Sequence, residues 1–181
     1  MRLYAIGLLL VTAAIPGSAQ KFGPAENLAP YIPTPETIVD RMLDAAHIKA
    51  GETVYDLGSG DGRVVIAAAQ KYGARAVGVE IRPDLCRQAQ ARIKSLGLED
   101  RVTMVEGSAL RVDLAPADVV TMYFLTSSNE RLKPRLERMK LGSRVVSNEF
   151  PVKGWKPIEV LHVKSGAMEH SIYVYQIGHT H

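Results

Sequence analysis

The residues best suited to chemistry form the glycine-rich segment VYDLGSGDG at positions 54–62. Glycines at a turn between a strand and a helix let the backbone bend sharply and approach a ligand closely. An acidic residue, Asp56, lies two positions before the first glycine, Gly58. A carboxylate at this point repels a pyrophosphate group and attracts a ligand with positive charge. The segment therefore predicts a loop that binds a cationic small molecule.

The spacing of the glycines separates this loop from two other nucleotide-binding loops. A dinucleotide fingerprint is G-x-G-x-x-G, but here Arg63 takes the third glycine position and Gly62 comes one residue early. The phosphate-binding pattern G-x-x-x-x-G-K-[ST] is absent from the sequence. S-adenosylmethionine (SAM) carries a sulfonium, an α-amino group and no phosphate, so the charge of Asp56 favours SAM over NAD.

Two further predicted strand ends carry groups that suit the same ligand. Glu80 follows Gly62 by eighteen residues, and a carboxylate there can accept hydrogen bonds from both ribose hydroxyls. Gly107 and Ser108 follow the third strand, where they can pass beneath the adenine. Each acid alone has a structural explanation, since Asp56 can cap the following turn and Glu80 can be a solvated strand end. The occurrence of Asp56, Glu80 and Gly107-Ser108 at the ends of three successive strands favours a binding site over these structural explanations.

The elements that must position these residues alternate between strands and helices. The patterns predict strands at 53–57, 74–80, 102–105, 117–124 and 144–148, and helices from 34, at 63–72, at 83–96 and at 127–139. Two strand-like runs at 158–164 and 171–177 should pair as a hairpin, with no helix before them. We therefore predict a single α/β domain with a mostly parallel twisted sheet, helices on both faces and a C-terminal antiparallel hairpin.

The helix ends carry their own predictions. Thr34 can cap the first helix, with Pro35 in its first turn. Ser127-x-x-Glu130 has the pattern of a capping box, and Pro134 predicts a kink in the helix that follows.

The N-terminal segment differs from the rest of the chain. In residues 1–19, Arg2 precedes an apolar run at 3–16 that ends in small residues, as is typical of a secretory signal peptide. An uncleaved anchor and a misassigned start are the alternatives. We expect a periplasmic or extracellular domain, or one anchored by this segment, and a cytoplasmic one if the start is misassigned. Membrane contact would come only through the uncleaved segment.

Length and composition fit one globular domain. The chain has 181 residues, 46% of them hydrophobic, and a formal net charge of +3, which does not call for nucleic acid. We divide it into the signal or anchor at 1–19, a leader and first helix at 20–50 that cover the cofactor, and a catalytic domain at 51–181.

The motifs together resemble the class I SAM-dependent methyltransferases, which have a Rossmann-like fold. More narrowly, PYIPTPETIVDRML, VYDLGSGDGRVVIAAA, AVGVEI and VVTMYFL resemble the protein-lysine methyltransferases that modify the ATP-synthase c-subunit and the adenine nucleotide translocase, with their short bacterial relatives. The resemblance covers residues 30–178. It implies SAM as the methyl donor, no metal, and a protein substrate with a target lysine, which could be a membrane protein.

The resemblance also implies site residues. The predicted cofactor-binding residues are Tyr31, Thr34, Asp56, Gly58, Ser59, Gly60, Asp61, Gly62, Glu80, Gly107 and Ser108. Among them, Tyr31 and Thr34 belong to a leader that should fold over the methionine end of SAM. Ser108 departs from the group, where an Asp is usual. Asn148-Glu149 stands where the group tends to have His-Asp.

Methyl transfer to a lysine needs a neutral amine, which costs about 4 kcal/mol at neutral pH. A carboxylate near the methyl group could take the proton, and an aromatic hydroxyl could orient the amine. Our first candidate for a catalytic residue is Glu149, at the end of the fifth strand, and the second is Tyr123, at the end of the fourth. The structural alternatives are a solvated Glu149 and a Tyr123 packed against the leader.

Other patterns narrow the function. No [ND]-P-P-[FY] motif follows the fourth strand, which disfavours methylation of a nucleobase amine, and the five basic residues within 131–140 fit a solvated helix face. The histidines at 162, 170, 179 and 181 lack a usual zinc spacing. Two alternatives stay open: a methyltransferase acting on a small molecule or another N or O atom, and a non-catalytic exported module of the same fold.

Overall fold

The computed structural model of the chain describes residues 22–181. The predicted signal peptide or anchor at 1–19 lies outside these residues. Within 22–181, no helix combines the length and the apolar character that crossing a membrane requires.

Residues 22–181 form one seven-stranded sheet flanked by helices. Its strands are β1 (Thr53–Leu57), β2 (Arg75–Glu80), β3 (Val102–Glu106), β4 (Val119–Met122), β5 (Arg144–Asn148), β6 (Glu159–Ser165) and β7 (Met168–Gln176). Its helices are α1 (Glu36–Ala45), α2 (Arg63–Tyr72), α3 (Pro83–Ser95) and α4 (Thr126–Leu136), preceded by a 3₁₀ turn at Pro24–Glu26.

The strand order is β3-β2-β1-β4-β5-β7-β6. Strands β1 to β5 are parallel, whereas β7 is antiparallel to both β5 and β6. This topology confirms the predicted mostly parallel sheet and C-terminal hairpin. No helix intervenes between β5 and β6, as predicted, and the chain from 149 to 158 crosses one face of the sheet instead.

Two apolar cores lie on opposite faces of the sheet. One packs helices α1, α2 and α3 against the sheet through fully buried side chains such as Leu43 and Val65. The other packs α4, the leader and the segment after β5, through Leu132, Leu28 and Trp155. Because both faces are covered, the central strands are mostly buried and rich in apolar residues, as parallel strands usually are. Trp155 is therefore a packing residue.

Two helix ends differ from their predictions. The Ser127-x-x-Glu130 capping box does not form: α4 begins at Thr126, Leu125 is its N-cap residue, and no side chain caps it. The helix start is tied to the leader instead, since Ser128 Oγ donates a hydrogen bond to Leu28 O at 2.7 Å. Helix α4 then ends at Leu136, two residues after a proline that cannot donate to the preceding turn.

The first helix also lacks a side-chain cap. Pro35 is its N-cap residue, and Thr34 makes no capping bond. The backbone carbonyl oxygen of Thr34 accepts a hydrogen bond from Arg63 Nη1.

Candidate active site

The carboxyl ends of strands β1 to β4 open into a cavity of about 230 Å³. In open α/β sheets, ligands bind at these ends of the strands. The predicted residues that line this cavity are Tyr31, Thr34, Asp56, Gly58, Ser59, Asp61, Glu80, Gly107 and Tyr123. The walls are completed by the leader from 28 to 34 and by aromatic side chains after β4 and β5.

The glycine loop approaches its neighbours too closely for larger residues. Gly60 has a φ of +55°, and a Cβ atom there would lie 2.4 Å from the Tyr31 ring. Gly62 has a φ of +77° where α2 begins, and a Cβ there would lie 3.1 Å from Ala89 of α3. Glycine is required at both positions by backbone conformation and by contact. Gly60 and Gly62 therefore shape the cavity without lining it.

Glu80 is held in place by the backbone of two loops. Its side chain is buried, Oε2 accepts a hydrogen bond from Gly60 N at 2.7 Å, and Oε1 accepts one from Arg82 N at 2.8 Å. Each carboxylate oxygen retains a second lone pair for a ligand hydroxyl. The geometry fits the predicted ribose acid.

Asp56 is buried beneath the glycine loop. Its Oδ1 accepts a hydrogen bond from Thr121 Oγ1 at 2.7 Å. Burial raises the pKa of Asp56 to about 7, against the lowering effect of the Thr121 hydrogen bond. A nearby cation would favour the ionised form. The chemistry of this side chain therefore fits a ligand that carries a positive charge.

The leader is held across the cavity by contacts to the start of α2. Tyr31 covers Gly60 and is 39% exposed, whereas Thr34 is buried. Arg63 Nη1 donates to Thr34 O at 2.8 Å, and Arg63 Nη2 donates to Asp61 Oδ2 at 2.7 Å. These contacts agree with the expected leader over one end of the cofactor. Arg63, which the sequence analysis did not assign, adds a guanidinium to the cavity wall.

The loop after β3 contributes through its backbone. Gly107 lines the cavity, but Ser108 does not. Ser108 is buried, and its Oγ accepts a hydrogen bond from Leu110 N at 3.2 Å. The Ser108 side chain thus stabilises the loop, and of the two residues only Gly107 lines the cavity.

Tyr123 lines the cavity just after the end of β4. Its ring stacks on that of Phe150, with 6.2 Å between centroids and an interplanar angle of 21°. Burial raises the pKa of the Tyr123 hydroxyl, and the nearby charge of Glu149 raises it further. Tyr123 therefore stays protonated and can act as a hydrogen-bond donor or acceptor.

The structure does not bring Glu149 into the cavity. Its carboxylate Oε1 lies 2.6 Å from Nδ1 of the buried His170 on β7. Its backbone has a φ of +64°, the left-handed region, and its N–H donates to Ser171 O at 2.7 Å. This turn directs the next residue, Phe150, towards the cavity. Glu149 therefore does not line the cavity, and its side chain, 25% exposed, is half-buried rather than fully solvated.

The backbone of Phe150 is held by side chains of α4 and β5. Its carbonyl oxygen accepts hydrogen bonds from Ser147 Oγ at 2.5 Å and from Asn129 Nδ2 at 3.0 Å. Both donors are buried. The aromatic wall is thus rigid on the side where β5 ends.

Five charged or aromatic lining residues were missed in the sequence analysis: Glu26, Arg63, Arg82, Phe124 and Phe150. Arg63 adjoins the glycine loop and Phe124 and Phe150 follow strands, so position alone could have suggested them. Glu26 lies in an irregular leader with no periodic pattern, and only the tertiary structure brings it to the cavity. For metals, no group of three or more His, Cys, Asp or Glu suited to an ion occurs within 22–181.

Comparison with known proteins relates this site to one family. Residues 56–159 match the family model described as the ANTKMT methyltransferase domain. A protein-lysine N-methyltransferase of Saccharolobus islandicus (strain REY15A) is 49% identical over 82% of this chain and 94% of its own length. The adenine nucleotide translocase lysine N-methyltransferase of Mus musculus is 31% identical over 76% of this chain, which spans 60% of that protein.

A solved structure shows the same fold with a related ligand. The RNA methyltransferase from Salinibacter ruber, in complex with S-adenosyl-L-homocysteine, is 41% identical, with a TM-score of 0.75. The match covers 81% of this chain and 94% of that one. The carboxylates of Asp56 and Glu80 in the cavity, and the ligand of this neighbour, both indicate SAM as the cofactor.

Proposed function

Since the chain belongs to the ANTKMT methyltransferase family, we infer that it is a SAM-dependent protein-lysine N-methyltransferase. One observation carries this function: a protein-lysine N-methyltransferase is 49% identical to the chain and is covered over 94% of its length. The cavity supports it, because its carboxylates suit the charge and the hydroxyls of SAM.

The cofactor end of the site follows from charge. When bound, SAM supplies a methyl group on a sulfonium, which an amine can attack in line with the carbon–sulfur bond. Asp56 favours the positive charge of this ligand, Glu80 accepts hydrogen bonds from the ribose hydroxyls, and Arg63 suits the methionine carboxylate. Tyr31 shields the ligand from water. These roles are supported by the side chains that line the cavity.

The acceptor end is aromatic. The Tyr123 and Phe150 rings form a wall along which the aliphatic part of a lysine can lie, and the Tyr123 hydroxyl can orient its nitrogen. Solvent would take the ammonium proton, leaving the neutral nitrogen that the Tyr123 hydroxyl orients. Bound SAM would supply the methyl group to this nitrogen, with the electrons of the carbon–sulfur bond remaining on sulfur. Glu149 acts as a positioning residue that holds Phe150 in this wall.

The narrower proposal is that the lysine belongs to a membrane protein. The mouth of the cavity has exposed apolar side chains, with Ile32 57% and Leu125 48% exposed. The apolar segment at 3–16, outside the described residues, would hold an exported domain at a membrane if it is not cleaved. Both observations support an acceptor presented near a lipid surface.

A nucleic-acid substrate is less well supported by the surface. Three of the five basic side chains within 131–140 are bonded to protein acceptors: Lys133 to Lys153 O, Arg135 to Val112 O, and Lys140 to Asp118 Oδ1. Cations committed in this way contribute less to a phosphate-binding surface.

The test is transfer of a labelled methyl group. The full chain is incubated with methyl-tritiated SAM and with membrane protein, soluble protein or total RNA from cells of its source. We expect label that resists nuclease, is released by protease, and lies on methyllysine by mass spectrometry. Label in the membrane fraction supports the narrower proposal, and label confined to soluble protein contradicts it.

The control is the Asp56→Asn, Glu80→Gln double variant, which should bind no SAM and transfer no label. Label that only nuclease removes would overturn the lysine function in favour of RNA, as in the similar Salinibacter protein. A folded wild type that binds no SAM would overturn methyl transfer altogether and favour a non-catalytic module.

A further inference from the structure

The carboxylate of Glu26, in the leader, lines the cavity but has no role in the mechanism above. Its Oε1 accepts a hydrogen bond from Arg111 Nε at 2.7 Å and also contacts Arg111 Nη2. Its Oε2 is buried and has no hydrogen-bond partner among residues 22–181. A buried carboxylate oxygen without a donor is costly, so a polar partner for it is expected.

Glu26 lies at the end of the cavity formed by strands β2 and β3. Arg111, which orients it, belongs to the loop that follows β3 and contains Gly107. Two residues further on, Leu28 packs in the same apolar cluster as Val79 of β2 and Ala109 of the β3 loop. This is the end beyond the ribose acid, where the purine of the cofactor belongs.

From the loop after β3, the cavity is lined by Gly107 and Ala109, neither of which has a side-chain acceptor for the purine. Ser108 is buried, does not line the cavity, and already accepts a hydrogen bond from Leu110 N. The carboxylate at this end of the cavity that has a free oxygen is that of Glu26, contributed by a distant part of the chain. An exocyclic amine is a donor that this oxygen can accept from.

We propose that Glu26 Oε2 accepts a hydrogen bond from the 6-amino group of the adenine and thereby selects adenine over 6-oxopurines. A 6-oxo group would face the carboxylate with an acceptor instead of a donor. Glu26 Oε2 and the 6-oxygen would then both lack a hydrogen-bond donor. Arg111 holds the Glu26 carboxylate in place and is a positioning residue. The proposal rests on SAM binding, which belongs to the proposed function, and is independent of the methyl acceptor.

The experiment is calorimetric titration of the full chain with two ligands, S-adenosyl-L-homocysteine and S-inosyl-L-homocysteine. They differ at the 6-position and in the hydrogen that the inosyl ligand carries on the adjacent N1. The ratio of their affinities cancels any loss that affects both ligands equally. We expect wild type to prefer the adenosyl ligand by about thirtyfold or more. Glu26→Ala should reduce the preference to about threefold or less, and Glu26→Gln, whose amide can also donate, should narrow or reverse it.

Two variants separate this role from a mere loss of leader packing. Glu106→Gln changes an exposed carboxylate at the end of β3 and should keep the wild-type ratio. Arg111→Ala keeps the Glu26 carboxylate but removes the guanidinium that holds it in place. This variant should give an intermediate ratio of the two affinities.

If Glu26→Ala keeps the wild-type ratio of affinities, the role of Glu26 is overturned. In that case, a loss of affinity for the adenosyl ligand in Glu80→Ala would show that the cofactor site itself stands. A folded wild type that binds neither ligand would overturn this proposal and the proposed function together.

Discussion

Replacing Asp56 by asparagine should flatten the pH dependence of the free energy of unfolding between about pH 4 and pH 7. The side chain is buried, and burial raises its pKa to about 7 from the usual 3.8. In that range the folded state retains a proton that the unfolded state has released. The free energy of unfolding therefore falls as the pH rises and levels off above about 7.

The magnitude follows from the two pKa values. The slope for one such group is about 1.4 kcal/mol per pH unit, so a pKa raised from 3.8 to about 7 corresponds to about 4 kcal/mol over the whole range. Asparagine cannot ionise, and its side-chain oxygen can still accept the hydrogen bond from Thr121. The variant should therefore be more stable than wild type at pH 8 and closest to it near pH 4.

The assay is urea denaturation of both proteins at about pH 4, 5, 6, 7 and 8. The difference between their unfolding free energies cancels the contributions of groups that the two share. A difference that stays constant across this range would refute the reasoning, because it would mean that Asp56 ionises in its usual range. SAM affinity should also rise with pH up to about 7, since binding the cation favours the ionised carboxylate.

Other substitutions test the loop, the β5 turn and the core. Gly60→Ala places a Cβ atom 2.4 Å from the Tyr31 ring and should weaken SAM binding about tenfold by calorimetry, whereas Gly97→Ala, also at positive φ but with no atom within 4 Å, should not. Glycine adopts the φ of +64° at position 149 more easily than alanine, so Glu149→Gly should retain more turnover than Glu149→Ala. The reason is that the backbone turn positions the aromatic wall. Equal losses of turnover in the two variants would instead support a role of the Glu149 carboxylate as a base. Leu132→Ala should lower the free energy of unfolding by about 3 kcal/mol in urea, since this side chain is fully buried.

Much of the fold could be predicted from local patterns. Strands β1 and β5 and helix α2 begin and end where the sequence predicts. Apolar runs, glycines and helix-forming residues act over a few neighbouring positions. The elements that they determine can therefore be predicted without knowing the contacts between distant residues. The Ser127-x-x-Glu130 pattern misled because a tertiary contact, between Ser128 and the leader, decides how α4 begins.

The sequence by itself determined the glycine loop, Asp56 and Glu80, because their chemistry and their spacing at strand ends identify a cofactor site. Only the tertiary structure decided what Glu149 and Glu26 do. A single left-handed backbone turn and the contact with His170 direct Glu149 away from the cavity, and a bond to Arg111, 85 residues away, brings Glu26 into it. The direction of a side chain at a turn, and the position of an irregular segment, depend on partners remote in sequence. No local periodicity encodes those partners.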